Sequence, residues 1–264
     1  IKDKGENLIR ARGHPCGNGS GKEEVKRFSD KEGAQCDKKK IKDNSEGACA
    51  PYRRLHVCDK NMENISDYDS SNAKHNLLLD VCLAAKYEGD SITRYHPQHH
   101  VTNPDSQLCT VLARSFADIG DIIRGKDLYS GNKKENKQRK KLEENLKVIF
   151  GNIYEELKKD RKNGKKLALQ KRYQDEIGGN FFKLRDDWWT ANRETVWKAI
   201  TCSADRGNAY FRATCSMNGS GAQANHYCRC NGDQPGQDKT NTDPPTYFDY
   251  VPQYLRWFEE WAED

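Results

Sequence analysis

Apolar residues along this chain gather into five helical stripes set in long polar stretches. From Asn76, Leu78, Val81, Cys82 and Ala85 recur at i, i+3, i+4 and i+7, the spacing of one helix face. After a loop containing Pro97 and Pro104, Leu108, Leu112, Phe116, Ile119 and Ile123 repeat the stripe, and Gly125 supplies a stop. A third helix is predicted over about 138 to 162. Leu142, Leu146, Ile149, Phe150, Ile153 and Leu157 line one side of it and Lys, Arg and Glu fill the others, which places it on the surface of a bundle. The stretch "RDDWWTANRETVWKAITC" belongs to a fourth helix, about Phe181 to Cys202, with Trp189, Val196, Trp197 and Ile200 in one stripe, Arg193 beside it and Trp188 one step round. Tryptophans at that spacing are core rather than a ligand platform, and Cys202 is expected to tie this helix to an earlier one. A last helix starts near Pro252, a residue suited to a first helical position. It carries Val251, Leu255, Phe258 and Ala262 on one face with Trp257 and Trp261 nearby, and "EEWAED" ends in mid-pattern, as a truncated helix would.

The intervening sequence is of another kind. Residues 1 to about 75 show little periodicity and crowd four cysteines between 16 and 58, so a loop-rich segment stapled by two bridges is expected. Between Ser203 and Tyr247 the chain again reads as exposed loop, fixed by Cys215, Cys228 and Cys230. The composition, 34% hydrophobic against 32% charged, exceeds the roughly 25% charge of an ordinary domain and leaves no thick core. Cohesion falls to the ten cysteines: Cys16, Cys36, Cys49, Cys58, Cys82, Cys109, Cys202, Cys215, Cys228 and Cys230. None forms C-x-x-C, so disulfides made in an oxidising compartment are expected rather than a zinc site. No run is long and apolar enough to span a membrane, so an export signal or anchor is expected outside this sequence. Asn18, Asn64 and Asn218 stand in N-x-S sequons.

Charge changes the picture. Residues 133–172 hold 15 basic and 6 acidic side chains, whereas 233–264 hold 2 basic and 8 acidic. Lys133, Lys134, Lys137, Arg139, Lys140 and Lys141 form one cluster, and Lys158, Lys159, Arg161, Lys162, Lys165 and Lys166 a second. Such clusters bind sulfated glycans or nucleic acid in a salt-dependent way, and equally make a solvated helix face balanced by glutamates. Other motifs carry less. "CGNGSGK" has Cys16 where a phosphate loop needs Gly and Glu23 where it needs Ser or Thr. His96, His99 and His100 sit in "YHPQHH", read as a polar loop without a second metal-ligand group. Asp118 and Asp121 in "DIGDI" lie one helical turn apart and read as a helix surface meeting polar neighbours rather than an acid–base pair. Nothing announces catalysis, a metal or a cofactor.

Five blocks occur in a fixed order: "CAPYRRLHVC" (49–58), "HNLLLDVCLAAKYEG" (75–89), "LARSFADIGDIIRGKDLY" (112–129), "WWTANRETVWKAITC" (188–202) and "DYVPQYLRWFEEWAED" (249–264). Together they resemble the Duffy-binding-like fold, alpha class, of the erythrocyte membrane protein 1 variant adhesins of Plasmodium falciparum. The resemblance implies a mainly α, non-enzymatic fold in three parts: a loop-rich, disulfide-stapled first subdomain (1–75), a helical-bundle second subdomain (76–249) and the truncated start of a third (250–264). It implies nested bridges Cys16–Cys58 and Cys36–Cys49, with the other six cysteines pairing among themselves. It implies an exported adhesin on the extracellular face of the infected red cell, active in rosetting and subject to antigenic variation. The partners implied are red-cell surface glycans (heparan-sulfate-like or blood-group sugars) or a protein receptor, antibodies and adjacent domains of the parent adhesin, with no nucleic acid and no membrane insertion. A structural head module that positions a neighbouring receptor-binding domain is the competing expectation. Candidate glycan contacts are the two basic clusters together with Lys38, Lys39, Lys40 and Lys42.

Overall fold

The computed structural model describes residues 2–17, 27–29, 33–42, 47–65, 73–159, 171–173, 179–210, 212–217, 220–224 and 226–263. The fold is mainly helical: α1 (Lys2–Arg12), short α2 (Tyr52–Leu55) and α3 (Lys60–Glu63), then α4 (Ala73–Thr102), α5 (Leu108–Arg124), α6 (Lys133–Lys159) and α7 (Phe182–Ile200), a two-stranded hairpin of β1 (Cys215–Met217) and β2 (Ser220–Ala222), and α8 (Gln253–Glu263).

The stripes meet where the periodicity puts them. Phe116 of α5 lies 5.0 Å from the Trp189 ring and 5.2 Å from the Trp197 ring of α7, and all three are buried. Trp189 and Trp197 are therefore the interior of the bundle, and their N–H groups are satisfied there, whereas the indole N–H of buried Trp188 has no hydrogen-bond partner. Trp197 donates to the Cys228 carbonyl at 3.0 Å and Trp189 to Asp249 at 2.9 Å, as buried indoles require. Close helix crossing depends on two glycines. A Cβ on Gly89 of α4 would stand 1.8 Å from the Ile200 carbonyl oxygen, and one on Gly120 of α5 would stand 2.7 Å from the Trp189 ring.

α6 begins earlier than its apolar stripe indicates because a capping box starts it. Asn132 Oδ1 accepts the N–H of Lys134 and of Glu135, while Glu135 accepts the N–H of Asn132 at 2.7 Å. α4 departs further from expectation. It runs through Pro97 to Thr102, so His96, His99 and His100 occupy its last turns rather than a loop. Packing of α4 on α7 and α5, with Ile92 and His96 buried, outweighs the roughly 3 kcal/mol that an interior proline costs a helix.

Four disulfides form: Cys16–Cys58, Cys36–Cys49, Cys109–Cys228 and Cys215–Cys230. Cys82 and Cys202 are free thiols, which corrects the expectation that all ten cysteines are bridged and that Cys202 ties its helix to an earlier one. Cys202 Sγ instead lies 3.5 Å from the Asp90 carboxylate of α4.

The first segment is joined to the helices by buried ion pairs. Arg12 pairs with Asp80, Arg27 with Glu88, Arg53 with Asp118 and Arg54 with Asp127.

Candidate functional site

The "DIGDI" carboxylates are not a helix surface. Asp118 and Asp121 are 0% and 3% exposed and lie in an ionic core built from three distant stretches of chain. Arg53 of α2 and Arg256 of α8 each reach Asp118 at 2.8 Å. Arg256 also reaches Asp121 at 2.6 Å, and Arg53 bonds Glu260 and Ser115. Gln253 of α8 donates to Asp118 at 3.0 Å and to Asp127 at 2.9 Å. Burial alone would raise the Asp118 carboxyl, but Arg53, Arg256 and Arg54 together hold it well below its ordinary pKa. Asp121 is pushed up by burial in spite of Arg256 and Arg124. Every one of these charges is engaged by an opposite charge. The cluster holds elements together and offers no poised acid or base.

A consequence appears in α8. Its buried side is Gln253, Arg256, Trp257 and Glu260, and its apolar stripe faces outward, with Phe258 65%, Leu255 45% and Val251 36% exposed. Polar groups line the inner face because the ionic core is what α8 packs on.

The basic candidates divide. Lys133, Lys134, Lys137, Lys140 and Lys141 are exposed, on the side of α6 away from buried Leu142, Leu146 and Ile149. Arg139 is three residues before Leu142 and so falls on the inner stripe. It bonds Asp59 at 3.4 Å and Asp127 at 3.3 Å and stacks over Tyr129, which removes it from the outward-facing set. Lys158 pairs with Glu155 and lies over the Tyr154 ring. The Lys159 side chain and Arg161, Lys162, Lys165 and Lys166 lie outside the described residues, as do Asn18 and Asn218.

The fold joins two clusters that the sequence keeps apart. Ile41 pairs with Tyr129 in an antiparallel bridge. Ser130 and Gly131 donate their N–H groups to the Lys40 carbonyl at 2.7 and 3.1 Å, and Lys42 N donates to Leu128 O at 2.8 Å. The 38–42 loop therefore lies against the strand-like segment that leads directly into α6. Exposed Lys38 and Lys39 and half-buried Lys40 stand on this loop near the start of α6, as does exposed Lys42, whose ammonium donates to the Asp127 carbonyl at 3.0 Å. Nearby acids are spent elsewhere: Glu135 on the cap, Asp127 on Arg54, and Glu143 on Arg185 at 2.7 Å. Sequence reasoning had each lysine cluster but not their meeting, which rests on one β-bridge too short to leave a periodic signal.

Among the described residues no group of His, Cys, Asp or Glu is arranged to hold a metal ion, and no helix is long and apolar enough to cross a membrane. His96 and His100 both turn toward Ser106, bonding its Oγ and its carbonyl.

The chain matches the family model of the Duffy binding domain over residues 47–256. It is 24% identical over 227 residues to the Duffy receptor beta form of Plasmodium knowlesi, covering 82% of this chain and 14% of that protein. The NTS-DBL1(alpha-1) domain of the Plasmodium falciparum membrane protein 1 (PfEMP1) from the varO strain shares 39% identity at a TM-score of 0.67, over 94% of this chain and 50% of that one. A PfEMP1 DBLβ domain bound to human ICAM-1 shares 28% at a TM-score of 0.60, over 97% and 48%. The chain thus spans about half the length of these solved neighbours. With the match running through all four long helices and into α8, this chain belongs to the Duffy binding domain family of receptor-binding adhesion domains.

Proposed function

We propose that the chain is a non-enzymatic adhesion module that binds sulfated, heparan-sulfate-like glycans of the red-cell surface through the lysine face formed by the 38–42 loop and the start of α6. The docking of that loop beside α6 carries the reading. It gathers Lys38, Lys39, Lys40, Lys42, Lys133, Lys134, Lys137, Lys140 and Lys141, while Asp127 and Glu143 are paired with Arg54 and Arg185. Binding by point-charge lysines releases counterions, so affinity falls linearly with salt on a logarithmic scale. Rosetting, display on the infected red cell and blood-group sugars as partners belong to the same reading. So does the assignment of residues 1–75, 76–249 and 250–264 to three subdomains.

The test is retention on immobilised heparin and binding to intact red cells across a salt series. Lys134→Glu/Lys137→Glu/Lys141→Glu and Lys39→Glu/Lys42→Glu are expected each to lower affinity at least tenfold and to flatten the salt slope. Retention unchanged in both variants removes the lysine face from the function. The outward apolar stripe of α8 favours the second reading, a head module that seats a neighbouring domain. That reading predicts a folded chain that binds neither heparin nor cells.

A further inference from the structure

The first segment meets α4 along a seam. Asp80, Tyr87, Glu88, Ser91 and His99 follow one side of that helix. Arg12 pairs with Asp80, the His14 ring meets the Tyr87 ring edge-on at 4.4 Å, and Cys58 donates its N–H to Glu88 at 3.0 Å. Further along, Arg27 Nε donates to Ser91 at 2.9 Å and Phe28 stacks on His99 at 4.2 Å. No disulfide crosses this seam. Cys16–Cys58 and Cys36–Cys49 close within the first segment, Cys109–Cys228 and Cys215–Cys230 close within the bundle, and Cys82 and Cys202 are free. The contacts that join the two parts here are all non-covalent.

Both imidazoles of the seam are held as neutral rings. His14 Nδ1 accepts the N–H of Cys16 at 3.2 Å. His99 Nδ1 lies 3.2 Å from Asn103 Nδ2, an amide nitrogen that only donates. A ring nitrogen that accepts carries no proton, so neither side chain is an imidazolium in this arrangement. His96, buried beside them, bonds Ser106 Oγ at 3.2 Å, with the His99 and His100 rings 6.3 and 5.7 Å away and Phe28 at 6.1 Å. Burial lowers the pKa of His14, and burial followed by the charges of His100 and His99 lowers that of His96 to about 4.

Charged neighbours do not reverse this. Lys86 lies over the Tyr87 ring at 5.4 Å, Lys60, paired with Glu63, runs beside Gly17, and Arg94 is exposed on α4 two residues before His96. On its other side His99 shares a cleft of about 1100 Å³ with Arg27, Arg53, Arg114, Asp105, Glu259 and Glu260. Three acids face three arginines there, and Glu260 is already held by Arg53. The negative end of the α4 dipole favours a cation at His99 and His100, which sets their charge against His96.

We propose that this seam is a pH-operated latch: at neutral pH the first segment lies closed along α4, and in mild acid residues 14–17 and 27–29 part from the helix while the bundle and the ionic core stay intact. The imidazoles hold the seam only as neutral rings. Their contribution is complete above the ordinary value of 6.5 and is lost as pH falls from there toward 4. Arg53–Asp118, Arg54–Asp127 and the Ile41–Tyr129 bridge keep the rest of the segment in place, because the Asp118 carboxyl is held well below its ordinary pKa of 3.8. Opening uncovers Tyr87 and widens the cleft on its Phe28 side. The latch shares no residue with the lysine face.

The experiment is amide exchange of the whole chain with its disulfides intact, at about pH 7 and about pH 5, each rate divided by the intrinsic rate at that pH. Protection at Cys16, Lys60 and Asn103, whose N–H groups bond His14, Pro15 and His99, is expected to fall at least tenfold in acid, while Phe116 and Trp197 keep theirs. His14→Asn with His99→Asn puts an amide oxygen near each Nδ1, an acceptor that takes no proton, and is expected to remove most of that pH dependence. Because this variant also removes two rings, the imidazole resonances of the unaltered chain supply a second measurement. His14 and His96 should take their protons in the same step that shifts the amides of Cys16 and Phe28. Rings that titrate without any change at those amides overturn the latch. So does a loss of protection that persists in the double variant or that takes the bundle along with the seam.

Discussion

Asp118 is the residue on which the most distant parts of the chain converge, since Arg53, Gln253, Arg256 and Trp257 all donate to it. Removing one partner of a buried ion cluster strands the others without water. Asp118→Ala is therefore expected to cost about 3–5 kcal/mol, read as a lower urea midpoint, and an unchanged midpoint would show the cluster to be dispensable. His96 gives a pH dependence. Burial first, then His100 and His99, push its pKa down from 6.5 to about 4. A base with a depressed folded pKa stabilises the fold fully above its unfolded pKa, and that contribution is lost as pH falls from 6.5 toward 4. Thermal stability should decline over that window and the slope should flatten in His96→Gln. An identical slope in the variant would place the acid sensitivity elsewhere. The Asp118 carboxyl, held low, adds a further loss only below its unfolded value of 3.8.

At the scale of elements, the helical period located every long helix, because a bundle needs one apolar stripe from each. It misjudged two ends for nameable reasons. The Asn132–Glu135 capping box starts α6 ahead of its first apolar residue, and tertiary packing carries α4 through Pro97. In α8 the period was legible but its direction was not. Val251, Leu255 and Phe258 form the stripe, yet Arg256 and Trp257 face inward because Asp118 and Asp121 wait there. The two faces should respond oppositely to truncation. Trp257→Ala, at a site 0% exposed, should cost about 3–5 kcal/mol. Phe258→Ala, on the open face, should stay within about 0.5 kcal/mol and reduce binding of a hydrophobic dye. A large loss from Phe258→Ala would mean that this stripe is packed in solution.

For the whole molecule, the pairing of cysteines decides what reduction and alkylation do. Thiol titration of the native chain should find Cys202 reacting slowly and Cys82 only after denaturation. Burial pushes the Cys82 thiol up to about 12, and burial with Asp90 raises Cys202. Finding no titratable thiol in the native or the denatured chain would show Cys82 and Cys202 to be bridged. Mild reduction is expected to release residues 1–75 ahead of the bundle, since two of the four bridges lie within this segment. Simultaneous loss of exchange protection in both parts would argue against that division. The five sequence blocks that resemble the adhesin family hold much of the ionic core: Arg53 and Arg54, Asp80 and Glu88, Asp118 and Asp127, Arg193, then Asp249, Gln253 and Arg256. Their order along the chain was enough to name the fold. By itself, then, the sequence determined the four long helices and α8, the tryptophan core and the family, which follow from local period and fixed motif, but not α1, α2 and α3, which fall in the segment read as loop. Only the tertiary structure decided which arginine is structural and which lysines face outward, which thiols stay unpaired, and that the 38–42 loop lies against the segment leading into α6. Those depend on distances between residues far apart in the chain, and neither period nor composition records such distances.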